Sequence, residues 1–224
     1  MDTRTDSLTR LNAACEQLNI VLDDGVKQKL LLYVDQLQRW NKTYNLTAIR
    51  DPYQMLVQHI FDSLAIIPSI DKILYKKTVQ NARIVDVGSG AGLPGVVLAI
   101  CRTHWQVQCI DAVEKKMAFV RQMAGVLNLS NLKATHQRVE TIKPLKADIV
   151  ASRAFASLKD FADLAGLHVS SSGSLLAMKG QQPQSEIDDL HAHTVWRVDH
   201  IEPLSVPELN AQRCLVWMQR QGNT

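Results

Sequence analysis

The sequence predicts an α/β fold: a mostly parallel, seven-stranded sheet with helices on both faces, preceded by an N-terminal helical extension. Three observations carry this. From about residue 80 onward, short apolar runs alternate with amphipathic stretches, as in a wound parallel sheet. Before that point the apolar spacing is helical. At the junction, Ile84-Val85-Asp86-Val87 runs straight into Gly88-Ser89-Gly90-Ala91-Gly92-Leu93-Pro94-Gly95 and then Val96-Val97-Leu98-Ala99-Ile100. That succession reads as a strand, a tight glycine turn and a helix start.

In residues 1–80, Leu8, Leu11, Ala14, Cys15 and Leu18 recur at spacings of three and four and predict a first helix. Asp23-Asp24 caps a second helix carrying Leu30, Tyr33, Val34, Leu37 and Trp40, which Asn41 to Asn45 break. Pro52 suits the first turn of a third, bearing Met55, Leu56, His59, Ile60, Ser63 and Leu64 until Pro68 stops it. Lys72, Lys76 and Lys77 are expected in a connector. In residues 81–224, strands are expected at 83–87, 106–111, 132–136, 147–151, 173–178, 194–202 and 212–219, with helices at 94–102, 114–127, 157–168 and 184–191. Only the Pro203–Pro207 region separates the last two strands, too little for a crossover helix, so one of them is expected to run antiparallel. The chain therefore reads as a helical extension, 1–80, packed on a core, 81–224.

Composition narrows the function. A chain of 224 residues can bury a proper core, and a net charge of +3 confines any nucleic-acid surface to a local patch. Cys15, Cys101, Cys109 and Cys214 are far apart and not clustered with histidine, which argues against structural zinc and a disulfide scaffold, so no metal is expected. Met1 to Asp6 lacks the apolar core of a signal peptide, and no apolar run approaches the roughly 18 residues of a membrane span. A cytoplasmic protein without membrane contact is expected.

The glycine turn lets backbone approach a nucleoside ligand closely, and the helix start after it offers N–H groups and about half a unit of positive charge. Read from Gly88, the segment is G-x-G-x-G with Asp86 two residues earlier, the pattern of class I S-adenosylmethionine (AdoMet) methyltransferases. Read from Gly90, it is G-x-G-x-x-G (Gly90, Gly92, Gly95), which alone permits an NAD(P)-dependent oxidoreductase. The strand is expected to end at Val87, so the turn begins at Gly88 and the first reading fits better. A strand carboxylate at Asp86 also suits a ligand with an ammonium group, which AdoMet has and NAD lacks. Asp111 follows Gly92 by 19 residues, near the spacing at which an acid reaches a ribose hydroxyl, although an acid there also commonly starts a helix. Val139 and Glu140, after the third strand, can meet an adenine through a backbone N–H and a carboxylate. Glu140 can equally begin a helical turn.

Five segments together carry a resemblance: Arg39-Trp40-Asn41-Lys42-Thr43-Tyr44-Asn45-Leu46-Thr47-Ala48-Ile49, His59-Ile60-Phe61-Asp62-Ser63-Leu64, Asp86 to Gly95, Ser152-Arg153-Ala154-Phe155-Ala156, and Met178-Lys179-Gly180. They resemble the bacterial small-subunit rRNA methyltransferase G family, also called glucose-inhibited division protein B, over nearly the whole chain. Ala91 stands where the family pattern has proline, without removing a glycine. The resemblance implies AdoMet-dependent methylation of N7 of one guanine in 16S rRNA, in the loop near the decoding centre. It implies cofactor contacts at Gly88, Leu93, Val139, Glu140 and Arg153. The implied partner is 16S rRNA, as the small ribosomal subunit or an assembly intermediate, and a monomer is expected.

The residues can be weighed without the family. Exocyclic-amine methylation usually uses a [DN]-P-P-[YF] loop after the fourth strand, where this chain has Ala151-Ser152-Arg153-Ala154-Phe155. Pyrimidine C5 methylation needs a nucleophilic cysteine, typically after proline, and no cysteine here follows one. Guanine N7 already holds an in-plane lone pair and needs neither base nor covalent intermediate. Arg153 is then the best placed catalytic candidate, orienting the methionyl portion of the cofactor or guanine O6 by position and charge. Lys179 is a second candidate. His59 reads as a packed or capping histidine, and Trp40 with Met117, Phe119 and Met123 as core. Lys72, Lys76, Lys77, Arg83, Arg4 and Arg10 are candidates for a basic RNA-tracking surface. A non-catalytic RNA-binding module is a third reading, against which the intact glycine turn and Asp111 weigh.

Overall fold

The computed structural model describes residues 3–153 and 155–222; Met1, Asp2, Ala154 and the side chain of Arg4, all named above, lie outside what is described. The N-terminal segment forms α1 (Thr3–Gln17), α2 (Asp24–Tyr44), α3 (Pro52–Met55), a π turn (Leu56–Phe61), α4 (Asp62–Leu64) and α5 (Ile67–Lys76). Asp23 caps α2 as its sequence predicts, accepting from Val26 N at 2.8 Å, and Asn45 ends the helix in the left-handed region at φ 48°. Asp51 caps α3 in the same way through Gln54 N.

One expectation is corrected here. Pro68 does not end the third helix; that helix has stopped by residue 64, and Pro68 sits in the first turn of α5, where its missing N–H costs nothing. Lys72 and Lys76 are therefore helical rather than in a connector, and Lys77 caps α5.

The core follows as β1 (Arg83–Val87), α6 (Gly95–Cys101), β2 (Gln106–Asp111), α7 (Glu114–Val126), β3 (Leu132–His136), β4 (Ala147–Ser152), α8 (Leu158–Ala165), β5 (Val169–Lys179), α9 (Gln184–His193), β6 (Trp196–Pro203) and β7 (Cys214–Arg220). The seven strands lie in the order β3-β2-β1-β4-β5-β7-β6. All neighbours are parallel except β7, which runs antiparallel to both β5 and β6. The single reversed strand near the edge is the arrangement the short Pro203–Pro207 connection demands.

β1 is central and buried on both faces, and its two-residue period assigns each side chain to a face. Ile84 joins the hydrophobic cluster shared with α6, α7 and the N-terminal helices; Val85 and Val87 join the opposite one with α8 and α9. Asp86 shares the Ile84 face, against α6. Tyr33, Leu37, Phe61 and Leu64 from the N-terminal helices belong to the same apolar cluster as Val96, Leu98 and Phe119, so the extension packs on the α6–α7 face. Met117, Phe119 and Met123 are fully buried, and the Trp40 ring packs tilted against Phe119, with centroids 5.5 Å apart, in keeping with a core role.

Among the described residues, no helix is long and apolar enough to cross a membrane.

Candidate functional site

The glycine turn leaves β1 at its carboxyl end. Gly88, Gly90 and Gly92 take φ of 66°, 59° and 92°, and the chain re-enters a helix at Gly95. Gly88 N and Ser89 N both donate to Ile110 O, at 2.9 and 3.1 Å, which ties the turn to the end of β2. The glycines differ in what they permit. A Cβ at Gly95 would overlap Cys109 Sγ and lie 2.9 Å from Asp86 Oδ2, so Gly95 serves the packing of α6 on the strands. A Cβ at Gly90 meets nothing within 4 Å. The space there is unfilled by protein.

Asp86 is fully buried. Its Oδ2 accepts from Gly95 N at 2.7 Å, while its Oδ1 is buried without a hydrogen-bond partner. Burial pushes its carboxyl up to about 7; Asp111 adds to the rise, and the Gly95 N–H and Arg153 charge oppose it. The helix start offers less than the sequence promised. Gly95 N is spent on Asp86, and Val96 N donates to Gly92 O at 2.7 Å.

Asp111 ends β2 and braces the turn. Its Oδ2 accepts from Gly90 N and its Oδ1 from Val113 N, each at 2.9 Å, with Lys116 Nζ 3.8 Å away. The side chains of Leu93 and Val139 are buried in the two hydrophobic clusters, so only their backbone groups are available to a ligand. Val139 opens a 3₁₀ turn whose carbonyl is bonded at 3.0 Å to the buried His168 Nε2. Glu140 is exposed and 3.8 Å from Arg138. Gln137 N donates to Asp111 O at 3.2 Å, which brings this turn to the end of β2.

Tyr33 holds the turn from the N-terminal side, a contact sequence reasoning passed over because Tyr33 fits the apolar stripe of α2. Its hydroxyl donates to Ala91 O at 2.8 Å within a fully buried environment. Burial raises the phenol well above its ordinary value, so it remains a donor at neutral pH.

Arg153 follows β4 and faces the N-terminal segment. Its Nη1 donates to Gln58 O at 3.0 Å and to Asp62 Oδ2 at 3.1 Å. The π turn leaves the Gln58 carbonyl without its usual helix bond. Asp62 N–H bonds to Val57 O and His59 O instead of the residue-58 carbonyl that a regular α-helix would give it. Asp62 Oδ1 in turn accepts from Arg213 Nε at 3.1 Å. The sequence assigns neither Asp62 nor Arg213 a separate role: Asp62 lies within His59-Ile60-Phe61-Asp62-Ser63-Leu64, and Arg213 carries no local signal.

His59 has the packing role its sequence suggests. Its Nε2 lies 3.0 Å from Thr47 Oγ1, Nδ1 is buried without a partner, and burial with the Arg153 charge lowers its pKa to about 4. Asn41 completes the brace, accepting from Thr47 N at 2.9 Å and donating to Ile49 O at 3.0 Å. Lys179 is engaged: its Nζ pairs with Glu186 Oε2 at 2.7 Å and reaches Phe155 O and Ala156 O at 3.3 Å.

The basic residues before β1 are at the wrong end of the sheet for this site. Lys77 Nζ donates to Ser172 O and Ser174 Oγ near the start of β5, and Arg83 Nη1 to Leu145 O before β4. The glycine turn leaves from the opposite, carboxyl end. Arg10 is paired with Glu208 at 2.5 Å.

The glycine turn thus leaves the carboxyl end of β1, with Asp86 and Asp111 from neighbouring strands beside it and Arg153 at the end of β4. The family model described as rRNA small subunit methyltransferase G matches residues 26–216. A protein of Bordetella pertussis named ribosomal RNA small subunit methyltransferase G is 59% identical over 216 residues, 96% of this chain and 94% of that one. A Polaromonas protein of the same name is 49% identical over 93% of this chain and 92% of its own. A SAM-dependent methyltransferase from Aquifex aeolicus aligns at a TM-score of 0.53 and 15% identity, covering 75% of this chain and 97% of that one. TrmN from Thermus thermophilus gives a TM-score of 0.53 at 14% identity over 74% and 53%. The fold is the class I AdoMet-dependent methyltransferase fold. The reading of Gly90, Gly92 and Gly95 as a dinucleotide fingerprint finds no support among these relatives, and the turn opens at Gly88, as the methyltransferase pattern requires. With a family model over most of its length and relatives at 59% identity, the chain belongs to the rRNA small subunit methyltransferase G family.

Proposed function

We propose that this protein methylates N7 of a guanine in 16S rRNA of the small ribosomal subunit, with AdoMet as methyl donor, acting as a cytoplasmic monomer on the subunit or an assembly intermediate. The observation that carries the reading is the turn from Gly88 to Gly95, with open space at Gly90 and an orphaned carboxylate oxygen on Asp86 at its base. Both features fit AdoMet. The empty Cβ direction admits a ligand against the backbone, and the buried unpartnered Oδ1 suits an ammonium donor.

AdoMet, when bound, supplies an electrophilic methyl on a sulfonium. The chain's own residues bind and orient. Gly88, Gly90 and the backbone of Leu93 form the floor, and Asp86 meets the ammonium group. Asp111 takes a ribose hydroxyl while still bracing Gly90 and Val113, since a carboxylate offers about four lone-pair sites and these two N–H groups use two. Val139 N–H and the exposed Glu140 carboxylate read the adenine edge. Arg153 orients the methionyl portion or guanine O6 by charge and by its planar fork.

Target choice rests on what the site does not need. N7 attacks with its own lone pair, and the candidate bases are unsuited: His59 is held near 4 and Lys179 is paired with Glu186. A covalent thiol route is disfavoured as well. Burial pushes Cys109 well above its ordinary value and Cys101 up to about 12.

The test is methyl transfer from labelled AdoMet to small subunits from a strain lacking this protein, followed by mapping of the modified base. N7-methylguanine is reduced by borohydride and cleaved by aniline at the modified position. Label in a single aniline-sensitive guanine of 16S rRNA is the expected result; label resistant to that cleavage refutes N7.

A further inference from the structure

We propose that the cleft between Arg153 and Arg213 seats one phosphodiester of the RNA, with the buried carboxylate of Asp62 as its keystone; the proposal rests on the rRNA-methyltransferase reading above. The cleft has a volume of about 290 Å³ and is lined by Gln58, His59 and Asp62 of the N-terminal segment together with Arg153, Lys179 and Arg213. No residue of the glycine turn lines it. It therefore lies beside the proposed cofactor floor, with Arg153 as the residue the two share, and is entered beside β5 and β7, where Lys179 ends one strand and Arg213 precedes the other.

Its charge is built to a specific value. Asp62 is 1% exposed, and each of its oxygens holds one guanidinium at 3.1 Å. Two like charges on facing elements repel unless an opposite charge lies between them, and Asp62 supplies it. Two arginines against one aspartate leave a net charge of +1. Lys179 with Glu186 adds zero. His59 adds none at neutral pH, because burial and the Arg153 charge hold it near 4.

A phosphodiester carries −1. A guanidinium offers five N–H donors, and the contacts to Asp62, Gln58 O and Gln212 O engage one nitrogen of Arg153 and two of Arg213. Planar forks with donors to spare suit phosphate oxygens better than a point charge does. Arg153 and Arg213 are both partly open to solvent, at 29% and 27% of the side chain, so a backbone phosphate can reach them without entering the core.

The experiment measures single-turnover kcat/KM on small subunits lacking the modification as salt is raised, for wild type, Arg213→Gln and Arg213→Lys. Loss of one phosphate contact flattens the plot of log kcat/KM against log salt by about 0.7 to 0.9. Arg213→Gln is expected to lose that amount with its AdoMet dissociation constant unchanged; Arg213→Lys keeps the slope and loses rate. Asp62→Asn, checked for folding by its thermal melt, is expected to steepen the slope while slowing turnover, because it uncovers a second positive charge. An ion pair that is only structural moves neither slope, and that result overturns the proposal. A tenfold or greater loss of AdoMet affinity in Arg213→Gln also overturns it, by assigning the cleft to the cofactor's carboxylate. Absence of methyl transfer by wild type fails the functional reading instead, so the two failures are distinguishable.

Discussion

If Asp86 meets the ligand ammonium as proposed, cofactor affinity should depend on pH, with a sign and a size set by the burial of that carboxyl. Its folded pKa, about 7, lies above the ordinary 3.8. For an acid shifted upward, the folded state holds the proton more tightly than the unfolded one. Stability from this group is therefore full below 3.8 and is lost as pH rises toward 7. About three units is on the order of 4 kcal/mol of unfavourable charge burial in the ligand-free protein above neutrality. A ligand ammonium beside the unpartnered Oδ1 reverses the preference, because it stabilises the ionised form. AdoMet binding should then expel the proton, and affinity should rise roughly tenfold per pH unit from about 5.5 to 7 before levelling.

Titration calorimetry in two buffers of different ionisation enthalpy reads both quantities, affinity and protons released. Near one proton released at about pH 6 and near none at about pH 7.5, where release from Asp86 and uptake by the ligand amine roughly cancel, is the expected pair. Asp86→Asn keeps an acceptor for Gly95 N–H, removes the titration and should flatten the profile. It should weaken AdoMet at about pH 8 by roughly 10- to 100-fold, the value of a charged hydrogen bond at ~1.5–3 kcal/mol. A wild-type affinity that is flat from pH 5.5 to 8, with no proton release, refutes the assignment of Asp86 to the ammonium.

Three further outcomes are expected. Gly90→Val puts a β-branched residue at φ 59° in open space; it should remain folded by circular dichroism and lose AdoMet binding by calorimetry, and retained affinity would remove the turn from the site. Tyr33→Phe strands the Ala91 carbonyl in a buried setting and should cost about 1–3 kcal/mol in urea unfolding, with a matching loss of AdoMet affinity; an unaltered urea midpoint would show that the bond contributes nothing. Arg153→Ala should depress single-turnover rate or cofactor affinity severely, with partial rescue in Arg153→Lys. The single-turnover rate at saturating AdoMet should show no rising limb from a base near neutrality.

Much of this was legible because local signals and burial agreed. The alternation of apolar runs placed every strand, and the end of β1 at Val87 fixed which glycine opens the turn. The misses share a cause, in that their signals are tertiary. Val169-Ser170-Ser171-Ser172 has no apolar alternation, so the sequence points to a start at residue 173, whereas β5 begins at Val169. Its pairing with Ala147, past a register irregularity, draws it into the sheet. Gly173 permits that approach, since a Cβ there would lie 2.6 Å from Ala147 O. Proline ends and starts helices alike, so Pro68 alone gives no direction, and only the break after residue 64 shows that it starts α5. Arg213 meets Asp62 across 151 residues of sequence, and Tyr33 meets Ala91 across 58. No periodicity reports such pairs.

Among the described residues, the N-terminal segment reaches the site in two places, through α2 and through the π turn. Tyr33 reaches the glycine turn, so α2 fixes the backbone on which the cofactor is proposed to lie. The π turn reaches the arginine cleft. Had Leu56–Phe61 been regular α-helix, Asp62 N–H would have bonded the Gln58 carbonyl, and Arg153 would have shared that oxygen with it. Shifting that bond to Val57 O and His59 O frees the carbonyl and keeps Asp62 facing both arginines. The strand end that carries Arg153 is thus positioned by a helix that precedes the sheet. Loosening this helix should disturb the cleft before it disturbs the fold, because the apolar cluster holding Phe61 and Leu64 is independent of the Gln58 carbonyl.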